Sequence, residues 1–143
     1  MNMASGDARP SDALVLFGIT GDLAQKKIFP ALYEMAKQGS LDVPVVGVAS
    51  SNYSLAQLRD RAAAAIGKSG KIDDRNALNH LLSLLRYVSG DYNNPETFKT
   101  IKAALSDARR PAHYLAIPPS LFATVIRGLG AAHLANHARV IVE

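Results

Sequence analysis

The residues with the clearest chemical reading are the glycines of Gly18-Ile19-Thr20-Gly21-Asp22-Leu23-Ala24. Gly18 permits a tight bend, Gly21 lets backbone approach a ligand, and the small Ala24 lets a following helix pack closely. A helix starting here would aim unpaired amides and the positive end of its dipole at an anion, with the Thr20 hydroxyl as a further donor. That spacing suits the pyrophosphate of a dinucleotide. A mononucleotide loop of the Gly-x-x-x-x-Gly-Lys-Ser/Thr type is missing from the sequence. Asp22 reads as the N-cap, its carboxylate accepting from backbone amides.

Other reactive side chains are scattered. His80 and His113 have no carboxylate partner in the sequence and read as helix-face and strand-start residues. His133 and His137 are four apart, as paired ligands on a helix can be, but no glutamate lies between them and the helix is ending there, so no metal site is assigned. With no cysteine, a disulfide framework and a thiolate metal centre are both excluded. From spacing alone, Lys27 is a surface lysine on a helix.

The elements that must position the glycine turn alternate in type. Leu14-Val15-Leu16-Phe17 is a short apolar run that suits a strand buried on both faces. Similar strands are expected at Val45 to Ala49, Tyr87 to Ser89, Tyr114 to Ile117 and Arg139 to Val142. Between them, Ser54 and Gln57 have capping-box spacing ahead of the stripe Leu55, Leu58, Ala62, Ile66, with Gly67 as the stop. Asp73 caps a second helix carrying Leu78, Leu81, Leu82 and Leu85, and Asn94-Pro95 opens a third with Phe98, Ile101 and Leu105. The last helix begins near Pro119-Ser120. Pro30 falls inside the first helical stretch, where a kink or break is expected. Parallel strands need crossover connections of this length, so the expected fold is α/β: a Rossmann-type, doubly wound, mainly parallel sheet of about five strands with helices on both faces. Ligands of such folds sit beyond the carboxyl ends of the strands at the switch point, which here is the turn after the first expected strand.

A sequence of 143 residues is about one domain. At 48% hydrophobic and 20% charged it falls among globular chains. The net charge of +4 is compatible with an anionic ligand, but solvated helix faces explain it equally and no nucleic-acid motif accompanies it. No run approaches the ~20 apolar residues of a membrane span, so neither nucleic acid nor membrane is expected as a partner. A cytoplasmic setting is the default. Residues 1–12, small and polar at their start, read as a flexible arm ahead of a domain over 13–143.

The run Gly18 to Pro30, with Gly-x-x-Gly-Asp-Leu-Ala followed by lysines and an aromatic-Pro pair, resembles the coenzyme fingerprint of the glucose-6-phosphate dehydrogenase family. Val46-Gly47-Val48-Ala49-Ser50, Tyr114 to Pro119 and Val140 to Glu143 match later family landmarks in order, so the likeness spans Ala13 to Glu143. It implies a domain that binds NADP or NAD. Gly18, Thr20, Gly21, Asp22 and Leu23 would line the pyrophosphate, and Asp91 and Tyr92 would lie near the adenosine. Pro118 and Pro119, otherwise plain helix-start residues, would lie near the nicotinamide. Lys27 would stand between coenzyme and sugar phosphate, which makes it the substrate-binding residue.

Two departures qualify that picture. Many members carry an arginine after the second strand for the 2′-phosphate of NADP, whereas this chain has Ser50-Ser51-Asn52. Neither that cation nor the carboxylate that favours NAD is present there, so Ser50 and Ser51 are expected to meet the ribose with weak discrimination. The family's Lys-Pro-Phe-Gly and its His-Asp proton acceptor also have no counterpart in these residues. No catalytic residue is therefore assigned. The expectation is the coenzyme domain of an enzyme that oxidises glucose 6-phosphate to 6-phosphogluconolactone in the pentose phosphate pathway, cut short of its substrate domain and inactive alone. The full-length enzyme would be a homo-oligomer. Rival readings are a non-catalytic interaction module of the same fold and another NAD(P)-dependent oxidoreductase.

Overall fold

The computed structural model describes residues 10–142 and the backbone of residues 2–5. The strands are β1 (Asn2–Ser5), β2 (Ala13–Phe17), β3 (Val45–Ala49), β4 (Leu85–Ser89), β5 (Pro111–Leu115) and β6 (Arg139–Val142). They form one six-stranded sheet in the order β1-β6-β5-β2-β3-β4. Pairing is parallel throughout β4-β3-β2-β5-β6, and only β1 runs antiparallel, against β6. The doubly wound α/β expectation holds.

Alternation along the strands divides the core. Leu16 points to one face, where it meets Ile28, Phe29, Leu32, Leu58, Ala62, Leu78 and Leu81. These come from a π-helical turn (Ala24–Ile28) and from helices α1 (Phe29–Lys37), α2 (Leu55–Ser69) and α3 (Arg75–Leu84). Val15 and Phe17 point to the other face and pack with Val46, Val48, Phe98, Ile101, Val125 and Leu129, under α4 (Pro95–Leu105) and α5 (Phe122–Ala131). Both faces of β2 are therefore dry, which is why it reads as an unbroken apolar run.

Several local signals act as read. Ser54 accepts from the Gln57 amide at 3.1 Å while Gln57 Oε1 accepts from the Ser54 amide at 2.8 Å, a complete capping box. Asn94 accepts from the Glu96 amide at 3.0 Å ahead of Pro95.

Others are corrected. The first helix does not break at Pro30: its backbone stays helical through Ile28 and Phe29, and only its hydrogen-bond register changes. The Phe29 amide donates to Ala24 O across the wider π turn, and Pro30, which has no N–H to give, then sits in the first turn of α1. Gly67 does not stop α2, which runs to Ser69. Asp74 rather than Asp73 caps α3, accepting from the Ala77 amide at 3.0 Å. Asp73 instead accepts from Tyr33 at 2.9 Å and pairs with Lys37 at 2.8 Å. Leu85 belongs to β4, which follows α3 with no intervening residue. Strand β5 begins at Pro111, three residues before its expected start at Tyr114, because a first-position proline needs no ladder donor. Within the stretch read as an arm, Asn2–Ser5 forms an edge strand, since β6 would otherwise end the sheet with an unpaired ladder.

Candidate nucleotide-binding site

The chain winds from β2 to β3 and β4 on one side and returns to β5 and β6 on the other. The carboxyl ends of β2 and β5 therefore diverge into a crevice, and the glycine turn lies across it. Gly18 has φ +86°, and a Cβ there would lie 2.9 Å from the Ala116 carbonyl carbon. The left-handed backbone and the close approach each demand glycine. Gly47 on β3 is required by a different neighbour, because a Cβ there would lie 2.8 Å from Cγ1 of the buried Ile19.

Turn amides fall into two groups. The Gly18 amide donates to Val48 O at 2.8 Å, the Ile19 amide to the same oxygen at 3.2 Å, and the Gly21 amide to Gly18 O at 3.0 Å. These bonds fix the loop. Among the described residues, the amides of Thr20, Asp22, Leu23 and Ala24 donate to no protein atom. They are the orphan donors of a helix start, at the positive end of its dipole and at the mouth of the crevice. An anion fits there.

Asp22 departs from its expected role. It is already helical and exposed, no side-chain cap bond closes this helix start, and its carboxylate accepts nothing among the described residues. The free amides are thus left for a ligand.

The other expected site residues gather at the same end of the sheet. Ser50 is exposed directly after β3. Its neighbour Ser51 has Oγ 3.1 Å from Thr20 Oγ1, joining the two loops. The Ser51 carbonyl accepts from Tyr87 OH and from Ser89 Oγ, the latter at 3.0 Å. Asp91 follows β4, and its carboxylate accepts from the Asn93 amide at 2.8 Å in a local turn. Tyr92 lies under the glycine turn, where its hydroxyl accepts from the Gly18 amide at 3.0 Å and donates to Val48 O at 3.3 Å. Burial pushes its phenol up to about 12. Pro118 and Pro119 are exposed beyond β5, at the start of a short 3-10 turn. Lys27 is exposed on the π-helical turn.

The histidines lie elsewhere. His113 is fully buried within β5, with one ring nitrogen 2.8 Å from Leu134 O. His80 has Nε2 2.9 Å from Leu41 O and 3.7 Å from Asp42, beside the residues that lead into β3. His133 and His137 follow the end of α5 at Ala131 and have φ 59° and 58°, so their spacing does not place them on one helical face.

Residues 15–143 match the family described as glucose-6-phosphate dehydrogenase, NAD binding domain. The chain belongs to that family. It is 41% identical over 141 residues to glucose-6-phosphate 1-dehydrogenase 1 of Mycobacterium tuberculosis, covering 99% of this chain and 30% of that protein. The crystal structure of the Mycobacterium avium glucose-6-phosphate 1-dehydrogenase superposes with TM-score 0.88 at 44% identity, over 93% of this chain and 29% of that one. A glucose-6-phosphate dehydrogenase in complex with its substrate glucose-6-phosphate superposes with TM-score 0.76 at 27% identity, over 97% of this chain and 30% of that one. The chain thus spans about 30% of the length of these curated relatives. Within this coenzyme-domain family the glycine turn, not a histidine, is the chemically equipped feature of these residues.

Arg61 escaped the sequence reading. Its guanidinium carbon lies 5.1 Å from the centre of the Tyr53 ring and its Nη2 lies 3.4 Å from Thr20 O. A signal was present: counted from Leu58, residues 61, 62 and 65 fall on the inward face of α2, and Arg61 is the charged member of an otherwise apolar stripe.

Proposed function

We propose that this chain is the coenzyme-binding part of a glucose-6-phosphate dehydrogenase. The observation that carries the reading is the set of amides at Thr20, Asp22, Leu23 and Ala24, which have no acceptor among the described residues and open onto the switch-point crevice. Gly18 and Gly21 keep the loop low enough for a pyrophosphate, with the Thr20 hydroxyl as a further donor and Leu23 as its apolar flank. Ser50, Asp91 and Tyr92 border the adenosine, and the Tyr92 hydroxyl also braces the glycine turn from beneath. Pro118 and Pro119 border the nicotinamide. Lys27 reaches toward the sugar phosphate. When bound, the nicotinamide accepts the hydride released as C1 of glucose 6-phosphate is oxidised to the lactone.

These residues bind and orient; they do not take the proton. Alcohol oxidation needs a positioned acceptor, and among the described residues no histidine lies at the carboxyl end of the sheet. Activity, the substrate, a cytoplasmic setting and homo-oligomerisation belong to the longer protein. Among the described residues no helix is long and apolar enough to cross a membrane.

Calorimetric titration with NADP+ and NAD+ tests the reading. The chain is expected to bind dinucleotide weakly and to form no lactone from glucose 6-phosphate. Gly21 is exposed, lacks positive φ, and has no neighbour closer than 3.3 Å to an added Cβ. Gly21→Val should therefore fold normally yet lose binding by at least about tenfold through blocked approach. Unchanged affinity in Gly21→Val, or rapid turnover by this chain, would refute the assignment.

A further inference from the structure

Arg61 is a half-buried cation, and among the described residues no carboxylate pairs with it. Charges taken partly out of water ordinarily gain a counter-charge. Its Nη2 contacts the carbonyl of Thr20 at 3.4 Å. The Thr20 hydroxyl in turn contacts the Ser51 hydroxyl at 3.1 Å. One guanidinium and two hydroxyls therefore stand together where the glycine turn meets the loop after β3. In a doubly wound fold that junction receives the adenosine ribose, and its side chains decide between a free 2′-hydroxyl and a 2′-phosphate. Tyr53 holds the guanidinium in place by stacking, at 5.1 Å from the ring centre. With its amide oxygen turned toward the guanidinium, Gln25 accepts from Nε at 3.2 Å and from Nη2, while Nη1 makes no hydrogen bond among the described residues. A guanidinium prepositioned by Gln25 and Tyr53, with its Nη1 donors unused, suits a phosphate better than a hydroxyl.

We propose that Arg61 binds the 2′-phosphate of NADP and gives this chain a preference for NADP over NAD. The charge missing at Ser50-Ser51-Asn52 is supplied from two turns inside α2, across the Thr20–Ser51 contact. The proposal rests on the dinucleotide reading of the glycine turn and adds the coenzyme's identity to it.

Calorimetric titration of the 143-residue chain with NADP+ and NAD+ tests it, with circular dichroism melts as the check on folding. The unsubstituted chain should bind NADP+ at least about tenfold more tightly than NAD+, and added salt should narrow that gap. Arg61→Met keeps an unbranched stem against Tyr53; it should weaken NADP+ about 10- to 100-fold while leaving NAD+ within about threefold. Arg61→Lys retains the charge without the fork and should keep an intermediate preference. Equal affinity for both coenzymes in the unsubstituted chain overturns the role of Arg61, as does a preference that survives Arg61→Met. Equal losses for both coenzymes in folded Arg61→Met and Arg61→Lys overturn it too. If the folded, unsubstituted chain binds neither coenzyme, the dinucleotide site itself falls and this proposal falls with it.

Discussion

The two ends of the sheet treat their polar groups in opposite ways. At the amino end, loops are tied shut. Asp12 accepts from the Arg109 and Arg110 amides at 2.8 and 2.7 Å. The Tyr33 hydroxyl donates to Asp73 and accepts from the amides of Asp73 and Asp74, all at 2.9–3.0 Å. At the carboxyl end, the amides of Thr20, Asp22, Leu23 and Ala24 have no protein acceptor and Arg61 has no carboxylate partner among the described residues. Donors left unmet in water cost little, but they become strong binding groups once a ligand displaces that water. One end holds the fold closed, and the other is the end that the proposed function gives to a ligand.

Gly18→Val should break the comparison most severely. The substitution forces a branched side chain into φ +86° and against the Ala116 carbonyl, for a loss of about 4 kcal/mol from backbone strain and overpacking together. Denaturant melts should show a large fall in midpoint, with dinucleotide binding lost at the same time. A variant as stable as the parent would mean that the turn does not need its left-handed residue.

His113 yields the next largest effect. Burial, partly offset by the bond to Leu134 O, brings its imidazole down to about 4 from the ordinary 6.5. The unfolded chain therefore takes up the proton first. Stability should be complete above pH 6.5 and fall progressively between 6.5 and about 4, by about 3 kcal/mol as an order of magnitude. His113→Leu should remove most of that slope. An unchanged slope in the variant would assign the acid sensitivity to other groups.

Asp12→Ala comes below that. Burial raises the Asp12 carboxyl, but the Arg109 and Arg110 amides and the Arg110 charge outweigh it, and the net shift is downward. Its contribution is therefore present above the ordinary carboxyl range and lost as pH falls through the lowered value, a window more acid than that of His113. Removing the carboxylate should cost about 1–2 kcal/mol at neutral pH. Coenzyme affinity should not change, because the site lies at the other end of the sheet. A fall in affinity would show that the two ends are coupled.

Much of this was legible in the sequence, for identifiable reasons. Strands β2 and β3 are buried on both faces and so read as apolar runs, and the Ser54 and Asn94 caps obey local rules. Three features had no comparable signal. Strand β1 joins the sheet by backbone pairing with β6, which the composition of Asn2–Ser5 does not announce. Adjacent aspartates at 73 and 74 are equivalent as caps until Tyr33 claims the first of them. Arg61 sits on an inward helix position where a charge reads as an irregularity in the stripe, and its meaning depends on Thr20, which lies 41 residues away.

Tyr92→Phe is expected to have the smallest effect and discriminates most finely. The resemblance puts this residue beside the adenosine, while its hydroxyl braces Gly18 and Val48 from below. The Gly18 amide keeps Val48 O as acceptor at 2.8 Å when the phenol is removed, so the loss should be about 1 kcal/mol. The ring should still pack edge-on to Phe17, whose centroid is 5.8 Å away. If the hydroxyl is a brace, coenzyme affinity should change by less than about threefold, tracking the small loosening of the turn. If it touches the ligand, affinity should fall about tenfold with the melting midpoint unmoved. Titration and melting of this one variant therefore decide whether the boundary between the closed and open parts of the molecule runs above Tyr92 or below it.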